Sequence, residues 1–298
     1  MPNKDSYSID KQIALLKKRG MLFRNEQKAP DHLSHISYYR LKGYWWDMQS
    51  DRTNHTFSPN SYFEDVIDRY NFDRQLRLVL FDAIEIIEIA LRTKLIYHLS
   101  QAFGGLWHLD DSIVENKSLH TTHLTDLQAE FNRSGEVFAK DYRAKHPNNN
   151  PDAWIIFEVA TFGTLSKIYK NLRHQLPQKA IIAKEMGLNL HSELSSWLEA
   201  ISYLRNIIAH HSRIWSRNMV KRPTLIINPR HQWLQNEVTS VQEKKPFYVI
   251  TAMVYICNAI DANNQIKSKI VSLFLQNPNI PIFKIGFFNN WQDEPLWY

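Results

Sequence analysis

The segment between residues 62 and 105 carries the longest uninterrupted helical pattern in the chain. Apolar residues recur in it at intervals close to 3.6, and no glycine or proline occurs before Gly104 and Gly105. We expect one long helix or two in series, which must bury an apolar stripe because isolated helices are only marginally stable. Only eight glycines occur in 298 residues, which leaves few of the turns that short strands require. These features predict an all-α fold.

Four further segments show helical periodicity: residues 8–20, 153–172, 191–218 and 247–275. Ser8 is placed to cap the first of these helices and Gly20 to end it. Gly163 is expected to interrupt the second helix, and Ser192 is a candidate cap for the third. We expect the aromatic C-terminal tail to pack back on the body, because so much exposed apolar surface would be a liability.

Residues 106–151 are polar and end in HPNNNP, which favours a loop-rich or weakly helical connection. His120 and His123 stand three apart, as two metal ligands on one helix face would. No cysteine or cluster of carboxylates completes such a site, so the sequence predicts neither a metal nor another cofactor.

The single cysteine and the net charge bear on the compartment of the protein and on the kind of partner it binds. Cys257 cannot form an internal disulfide and lies in the apolar run 247–260, which predicts a buried thiol in a reducing cytoplasm. That run is shorter than the roughly 20 residues that span a membrane. The N-terminal segment is charged and lacks the pattern of an export signal. A net charge of +6 suits an anionic partner without requiring one.

The stretch HLSHISYYRLKGYWW alternates aromatic and basic side chains over residues 32–46. Such side chains can stack on bases and hold phosphates, and the same pattern also occurs in half-buried packing. The candidate RNA contacts here are Tyr38, Tyr39, Arg40 and Lys42.

The stretch LRNIIAHHSRIW contains two adjacent histidines in an otherwise apolar sequence. If residues 191–218 are helical, then Asn206, His210, Arg213 and Arg217 form one polar stripe, while His211 borders the core. Arg205 lies about 140° away from His210 around the helix axis. These groups could then converge only at the mouth of a groove and not within one helix.

Charge marks the same region as a candidate anion-binding surface. No carboxylate occurs between Glu199 and Glu237, whereas the interval contains six cations: Arg205, Arg213, Arg217, Lys221, Arg222 and Arg230. A histidine there could transfer protons near neutral pH while arginines stabilise a phosphoryl group, and this chemistry needs no metal. The alternative is that both histidines are satisfied core groups and the motif serves helix packing.

Three charged residues of the long helix share one face: Glu85, Glu88 and Arg92. Such a row is usually a solvated edge of salt bridges. It could otherwise orient a basic catalytic group on a neighbouring helix.

Several blocks of the chain resemble known families. The sequence RNIIAH resembles the R-x4-H motif of HEPN-domain ribonucleases, and LRNIIAHHSRIWSRN is similar to the form in the Abi family of phage abortive-infection proteins, the AbiD- and AbiF-like group. Four other blocks resemble that family in the same order: SIDKQIALLKKRGM with HISYYRLKGYWW, FDRQLRLVLFDAIEIIEIALRTKL, WIIFEVATFGTLSKIYKNL and IGFFNNWQDEPLW.

The resemblance implies an all-α, HEPN-like bundle with additional N- and C-terminal helices. We expect residues 1–60 to form a segment packed on the body, residues 61–240 to form the HEPN-like domain, and residues 241–298 to form a C-terminal helix and tail. In such domains two motifs usually face each other across a homodimer.

The same match gives each motif residue an expected role. Arg205 would bind the scissile phosphate, His210 would act as acid or base, and Asn206 would orient either. His211 matches the second histidine of the family, and its expected role is either to support the catalytic group or to pack in the core. Glu85, Glu88 and Arg92 would support Arg205. Independently of the match, the basic run without carboxylates makes Arg213, Arg217, Lys221 and Arg222 the candidate RNA contacts.

Two functions from different classes follow. The first is a metal-independent, cytoplasmic endoribonuclease of phage defence, which is toxin-like and paired with a repressor such as a small noncoding RNA. The second is a non-catalytic RNA-binding protein that holds a structured or small noncoding RNA. Neither function involves a membrane.

Overall fold

The computed structural model describes residues 6–298 and contains thirteen α-helices and one small sheet in that range. The helices are α1 (Ile9–Lys18), α2 (Ala29–His35), α3 (Tyr38–Trp45), α4 (Phe63–Phe103), α5 (Lys117–Arg133), α6 (Val137–Lys145), α7 (Ala153–Ile156), α8 (Phe162–Asn171), α9 (Pro177–Glu185), α10 (His191–Ala209), α11 (Ser240–Glu243), α12 (Pro246–Ile260) and α13 (Ile266–Gln276). The strands are β1 (Gln49–Asp51) and β2 (Thr56–Phe57). They pair antiparallel, with Gln49 opposite Phe57. The predicted all-α class is confirmed.

The central element is α4, a single helix of 41 residues. It contacts α3, α8, α9, α10, α12 and α13, so most of the core is built against it. Its apolar stripe, which includes Leu76, Leu80, Ile87 and Leu91, is fully buried. Gly104 follows the helix at φ 81°, a conformation that residues with a Cβ rarely adopt. The sequence pattern allowed one helix or two, and one continuous helix is present.

The N-terminal helix begins and ends as predicted. The hydroxyl of Ser8 accepts a hydrogen bond from the backbone N–H of Lys11, and Gly20 follows the helix at φ 92°. The C-terminal tail also packs back as expected, through the buried rings of Phe287, Trp291 and Trp297. One hydrophobic cluster therefore includes residues from both ends of the described chain.

Residues 106–151 were expected to be loop-rich or weakly helical, and the structure is more helical than either alternative. That region contains the 17-residue helix α5, which packs on α8, and the shorter helix α6. Three of the five buried residues of α5 are polar: His120, His123 and Glu130. Because a hydrophobic pattern counts only apolar residues, these buried polar positions hid the helix.

One predicted helix is divided in the structure, and another has its predicted interruption slightly earlier than expected. Residues 247–275 form two helices, α12 and α13, because the side chains of Asp261 and Asn264 accept hydrogen bonds from backbone N–H groups in the turn between them. The break in 153–172 falls before Gly163, since Thr161 caps α8 and its hydroxyl accepts from Thr164 N.

The third predicted helix, 191–218, begins and ends differently from the prediction. It begins after Leu190, whose N–H donates to the Glu193 carboxylate, so Ser192 is not its cap. It ends at Ala209, nine residues earlier than expected.

The position of Cys257 agrees with the sequence prediction, since its side chain is fully buried in α12. Among residues 6–298, no helix combines the length and the apolar character that a membrane crossing demands.

Candidate functional site

The histidine pair lies where α10 ends. His210 is the residue that closes the helix, and His211 follows at φ 53°, in the left-handed region. The N–H of His211 donates to Ile208 O at 2.8 Å, and the N–H of Ser212 donates to Ile207 O at 2.8 Å. These two bonds form a Schellman motif, in which the left-handed position is usually occupied by glycine. The chain therefore turns sharply at the second histidine.

This turn overturns the helical placement of the polar stripe. Both His210 and His211 are exposed, so His211 does not border the core and neither ring is a satisfied core group. Arg213 lies beyond the helix with its guanidinium directed inward, and it donates to Gly43 O at 2.7 Å. Arg217 donates to Arg213 O at 2.7 Å. Arg213 and Arg217 therefore contact the fold and do not continue the face of His210.

Arg205 and Asn206 lie on the last full turn of α10. The Arg205 guanidinium donates to the Asn206 side-chain oxygen at 3.4 Å, a long hydrogen bond between partly exposed groups. Among the described residues, no carboxylate lies within ion-pairing distance of Arg205. A guanidinium in this position can bind a phosphate without first leaving a protein partner.

Of the three charged residues on α4, two lie beside the motif. Arg92 forms a 2.8 Å ion pair with Glu88 and also donates to Ala160 O at 2.9 Å. Burial raises the pKa of Glu88, while the charges of Arg92 and Arg205 oppose that shift. The charge of Arg205 thus acts on Glu88 without a direct bond. Glu85 is exposed and has no ion pair within the described chain, so it stands apart from this network.

Asp73, which the sequence did not identify, holds residues 214 and 215 in place after the turn. Asp73, a buried residue of α4, accepts hydrogen bonds from the N–H groups of Ile214 and Trp215 at 3.0 and 2.7 Å. Its second oxygen accepts from the Tyr44 hydroxyl at 2.7 Å and lies 3.3 Å from Arg77 Nε. Burial raises the pKa of Asp73, and these donors oppose that effect. The sequence feature that could have identified Asp73 is its i, i+4 spacing from Arg77 within an otherwise apolar stripe.

Residues 200–236 contain no carboxylate, but in the folded chain Lys221 of this interval pairs with the carboxylate of Glu199. Glu199 pairs with both Lys170 and Lys221, and these hydrogen bonds lower the pKa of the Glu199 carboxyl. Lys221 therefore shares one carboxylate with Lys170 and is not a free cation. Arg222 is exposed, and no ion pair holds it within residues 6–298.

The aromatic and basic stretch forms α2 and α3, and α3 contacts the motif directly. Arg40 donates to His211 O at 2.6 Å and lies over the Tyr70 ring. The Tyr38 hydroxyl accepts a hydrogen bond from Arg19, and burial raises its pKa. Tyr39 is 83% exposed. Lys42 lies 5.5 Å from the ring centre of Trp46. Arg40 and Tyr38 thus support the fold, and Tyr39 and Lys42 present an aromatic and a cation to solvent.

The His120–His123 pair has the spacing that could have suggested a metal site. In the part of the chain that the structure describes, no group of three or more His, Cys, Asp or Glu side chains is placed to hold a metal ion. His120 and His123 are both largely buried on α5, where they line a small cavity together with His108.

A comparison with protein families gives one match. The family model described as Abi-like protein matches residues 31–216, which is 186 of the 298 residues. The matched range begins in α2 and ends just after the turn at His211. No curated protein and no solved structure was found to match the chain.

Proposed function

This chain belongs to the Abi-like protein family, and from that premise we propose that it is a metal-independent endoribonuclease of abortive-infection phage defence. Family membership itself indicates the abortive-infection role. The finer proposal is that RNA is cut at a composite site formed by the Arg205–His210 motifs of two copies in a HEPN-like homodimer. The protein would be toxin-like and restrained by a partner such as a small noncoding RNA.

One observation carries the proposal. The Arg205 guanidinium has no carboxylate partner in the described chain, and His210 is exposed one turn further along, at the end of the same helix. Arg205 can therefore bind a phosphoryl oxygen, and Asn206 can orient the guanidinium. Exposed histidine next to a bound phosphate is suited to proton transfer near neutral pH.

The reaction that these groups fit is an internal transfer. One histidine takes the proton of the ribose 2′-hydroxyl, the 2′-oxygen attacks phosphorus, and the bond to the 5′-oxygen breaks. A second acid gives a proton to the leaving 5′-oxygen. The products are a 2′,3′-cyclic phosphate and a 5′-hydroxyl end. His211 is also exposed beside His210, but in the proposed homodimer the second acid is His210 of the other copy.

A face of α4 supports the pairing of two copies. Positions 74, 78, 81, 85 and 89 share one side of the helix, and all five side chains are exposed. Leu78 and Phe81 lie between Arg74 and Glu85, and neither charged residue has an ion pair among residues 6–298. In an antiparallel pair with its two-fold axis between Leu78 and Phe81, Arg74 of each copy lies opposite Glu85 of the other. This self-complementary arrangement suits a symmetric interface.

The motif lies at the level of this face. Trp215 contacts Asp73 on α4, and Arg205 acts electrostatically on Glu88, so the end of α10 runs alongside α4 in the opposite direction. His210 lies between residues 205 and 215 in the chain, which puts it at the level of the part of α4 between Asp73 and Glu88. A symmetric pair through that face would place the two histidines on either side of one interface.

A second candidate function is a non-catalytic RNA-binding protein that holds a structured or small noncoding RNA. It is favoured by the exposure of Tyr39 and by the half-buried Lys42 near the Trp46 ring, which suit stacking and phosphate contact on α3. On that reading His210 would have no chemical task.

The deciding experiment is cleavage of labelled RNA by the purified protein in EDTA, with end-group analysis of the products. His210→Ala should abolish cuts that leave 2′,3′-cyclic phosphates. His146→Ala is the matched control, because His146 is also exposed but lies far from the motif in sequence. Tight RNA binding without cuts in any variant would favour the second function.

A further inference from the structure

Helices α5, α8 and α10 enclose a groove of about 590 Å³ whose α10 wall includes Arg205 and Asn206. Its volume falls within the range of sites that hold small molecules, roughly 300–1,000 Å³. Each helix contributes one face: α5 through Glu130 and Arg133, and α8 through Gly163. The whole of α5 lies in residues 106–151, which the sequence predicted to be a loop-rich or weakly helical connection, so this groove was not foreseen.

The acids in this groove are already engaged by the protein. The Glu130 carboxylate accepts hydrogen bonds from Thr161 N, Thr161 Oγ1 and Thr164 Oγ1 at 3.0, 3.0 and 2.8 Å. Glu199 is paired with Lys170, and Asp126 lies 3.5 Å from Lys167. An anion that enters the groove therefore meets carboxylates whose charge is largely compensated.

Two guanidinium groups remain available on opposite walls. Arg133, on α5, is 70% exposed in its side chain and lies 4.0 Å from Glu130, at the limit of an ion pair. Arg205, on α10, has only the long contact with Asn206. Arginines that face each other across a groove can hold two successive phosphates of one strand.

Gly163 of α8 lies between these walls. A Cβ there would meet Ser202 Oγ at 3.6 Å and Thr161 Oγ1 at 3.8 Å, so a methyl group fits and a larger side chain would enter the groove. The Ser202 hydroxyl makes no hydrogen bond with other described residues. A free hydroxyl beside an open surface can bind a ribose 2′-hydroxyl, the group that distinguishes RNA from DNA.

We infer that this groove binds the nucleotide of single-stranded RNA that adjoins the scissile phosphate, with Arg205 on that phosphate and Arg133 on the next. The inference rests on the proposed function, since it assumes that the substrate is RNA. It assigns substrate positioning to α5 and α8, which lie outside the Arg205–His210 motif.

The test measures binding of a fluorescent ten-nucleotide single-stranded RNA by anisotropy, in full-length protein carrying His210→Ala to prevent cleavage. Gly163→Leu fills the groove and Arg133→Glu reverses one of its charges. The matched controls are Gly135→Leu, at an open and exposed glycine, and Lys184→Glu, at an exposed cation of α9. Thermal melting establishes that each variant is folded.

We expect both groove variants to lose about tenfold or more in RNA affinity, while both controls stay close to the parent. Folded groove variants that bind like the parent would overturn the inference. If Gly163→Leu does not fold, Arg133→Glu alone decides. A parent that binds no RNA at all would overturn the proposed function together with this inference, and it differs from the previous result because no affinity then exists to be lost.

Discussion

The carboxylate of Asp73 accepts a hydrogen bond from the backbone N–H of Trp215 at 2.7 Å, across 142 residues of sequence. Because Asp73 lies on the central helix and Trp215 follows the histidine turn, this contact fixes where the chain goes after the motif. The position of His210 therefore depends on a buried carboxylate that is not itself exposed to any substrate.

We expect Asp73→Ala to destabilise the fold by about 2–4 kcal/mol, because it leaves two buried N–H groups, the Tyr44 hydroxyl and the Arg77 side chain without their acceptor. Urea unfolding measures this loss. Asp141→Ala, at an exposed ion pair, is the control and should change stability by less than about 0.5 kcal/mol. Equal effects of the two changes would contradict the role of Asp73.

Arg205→Ala and His210→Ala should each lower the rate of RNA cleavage by at least about a hundredfold, because each removes a group that acts on the reacting phosphate. Both side chains are at least partly exposed, so the melting temperature should stay within a few degrees of the parent. Single-turnover cleavage and thermal melting test the two statements. A large fall in melting temperature with His210→Ala would point to a packing role instead.

His211→Gly should stabilise the protein by about 0.5–1 kcal/mol, because glycine adopts the left-handed conformation without the steric cost that a Cβ brings. His211→Ala keeps that cost and should not stabilise. Denaturant unfolding of the two variants side by side gives the comparison. If His211→Gly also lowers cleavage, then the imidazole at this strained position contributes to the reaction as well as to the turn.

Charge reversal should reveal the pairing face of α4. Arg74→Glu and Glu85→Arg each place like charges opposite each other in the proposed antiparallel pair, so either change should shift the protein toward monomer. The double variant restores opposite charges and should recover the dimer. Light scattering coupled to size exclusion measures the mass of each species. A parent that is monomeric, or a double variant no better than either single one, would rule out this interface.

The stability of the protein should fall in mild acid because of His108. Burial lowers the pKa of His108 to about 4, and neither ring nitrogen has a hydrogen-bond partner in the described structure. His108 is therefore protonated below about pH 6.5 in the unfolded chain, but only below about pH 4 in the folded chain. Stability from this group is complete above pH 6.5 and is lost as pH falls toward 4, by up to about 3 kcal/mol.

Urea unfolding at several pH values tests this pH dependence. His108→Phe should make the dependence shallower between pH 6.5 and 4, because the aromatic replacement does not titrate. His146→Phe, at an exposed position, should leave the slope unchanged. A slope that His108→Phe does not alter would show that other groups cause the acid sensitivity.

The sequence predicted the helices whose buried face is mostly apolar and missed the one whose buried face is mostly polar. The central helix α4 and the first helix were predictable because each has an apolar stripe and is followed by a glycine, and Ser8 caps the first helix. Helix α5 was hidden because His120, His123 and Glu130 take positions in its core face. The turn at His211 was hidden because the left-handed position carries a residue other than glycine.

The candidate site was predictable in part for the same reason. Local pattern identified Arg205, Asn206 and His210, since these residues are close in sequence. It could not find Asp73 or the groove wall of α5, whose relation to the motif arises only from the packing of distant helices. The division into parts at residues 60 and 240, the catalytic roles and the RNA contacts all stay predictions.

The continuity of α4 limits how this chain can vary in length. Asp73 and Glu88 are fifteen residues apart on one helix, a separation of about 22 Å along its axis. Deletion of a single residue between them would turn one relative to the other by about 100°. The hydrogen bond from Trp215 to Asp73 and the electrostatic interaction of Arg205 with Glu88 could not then both survive. Insertions and deletions should therefore be tolerated in the connections between helices, whereas the number of residues between Asp73 and Glu88 should stay constant.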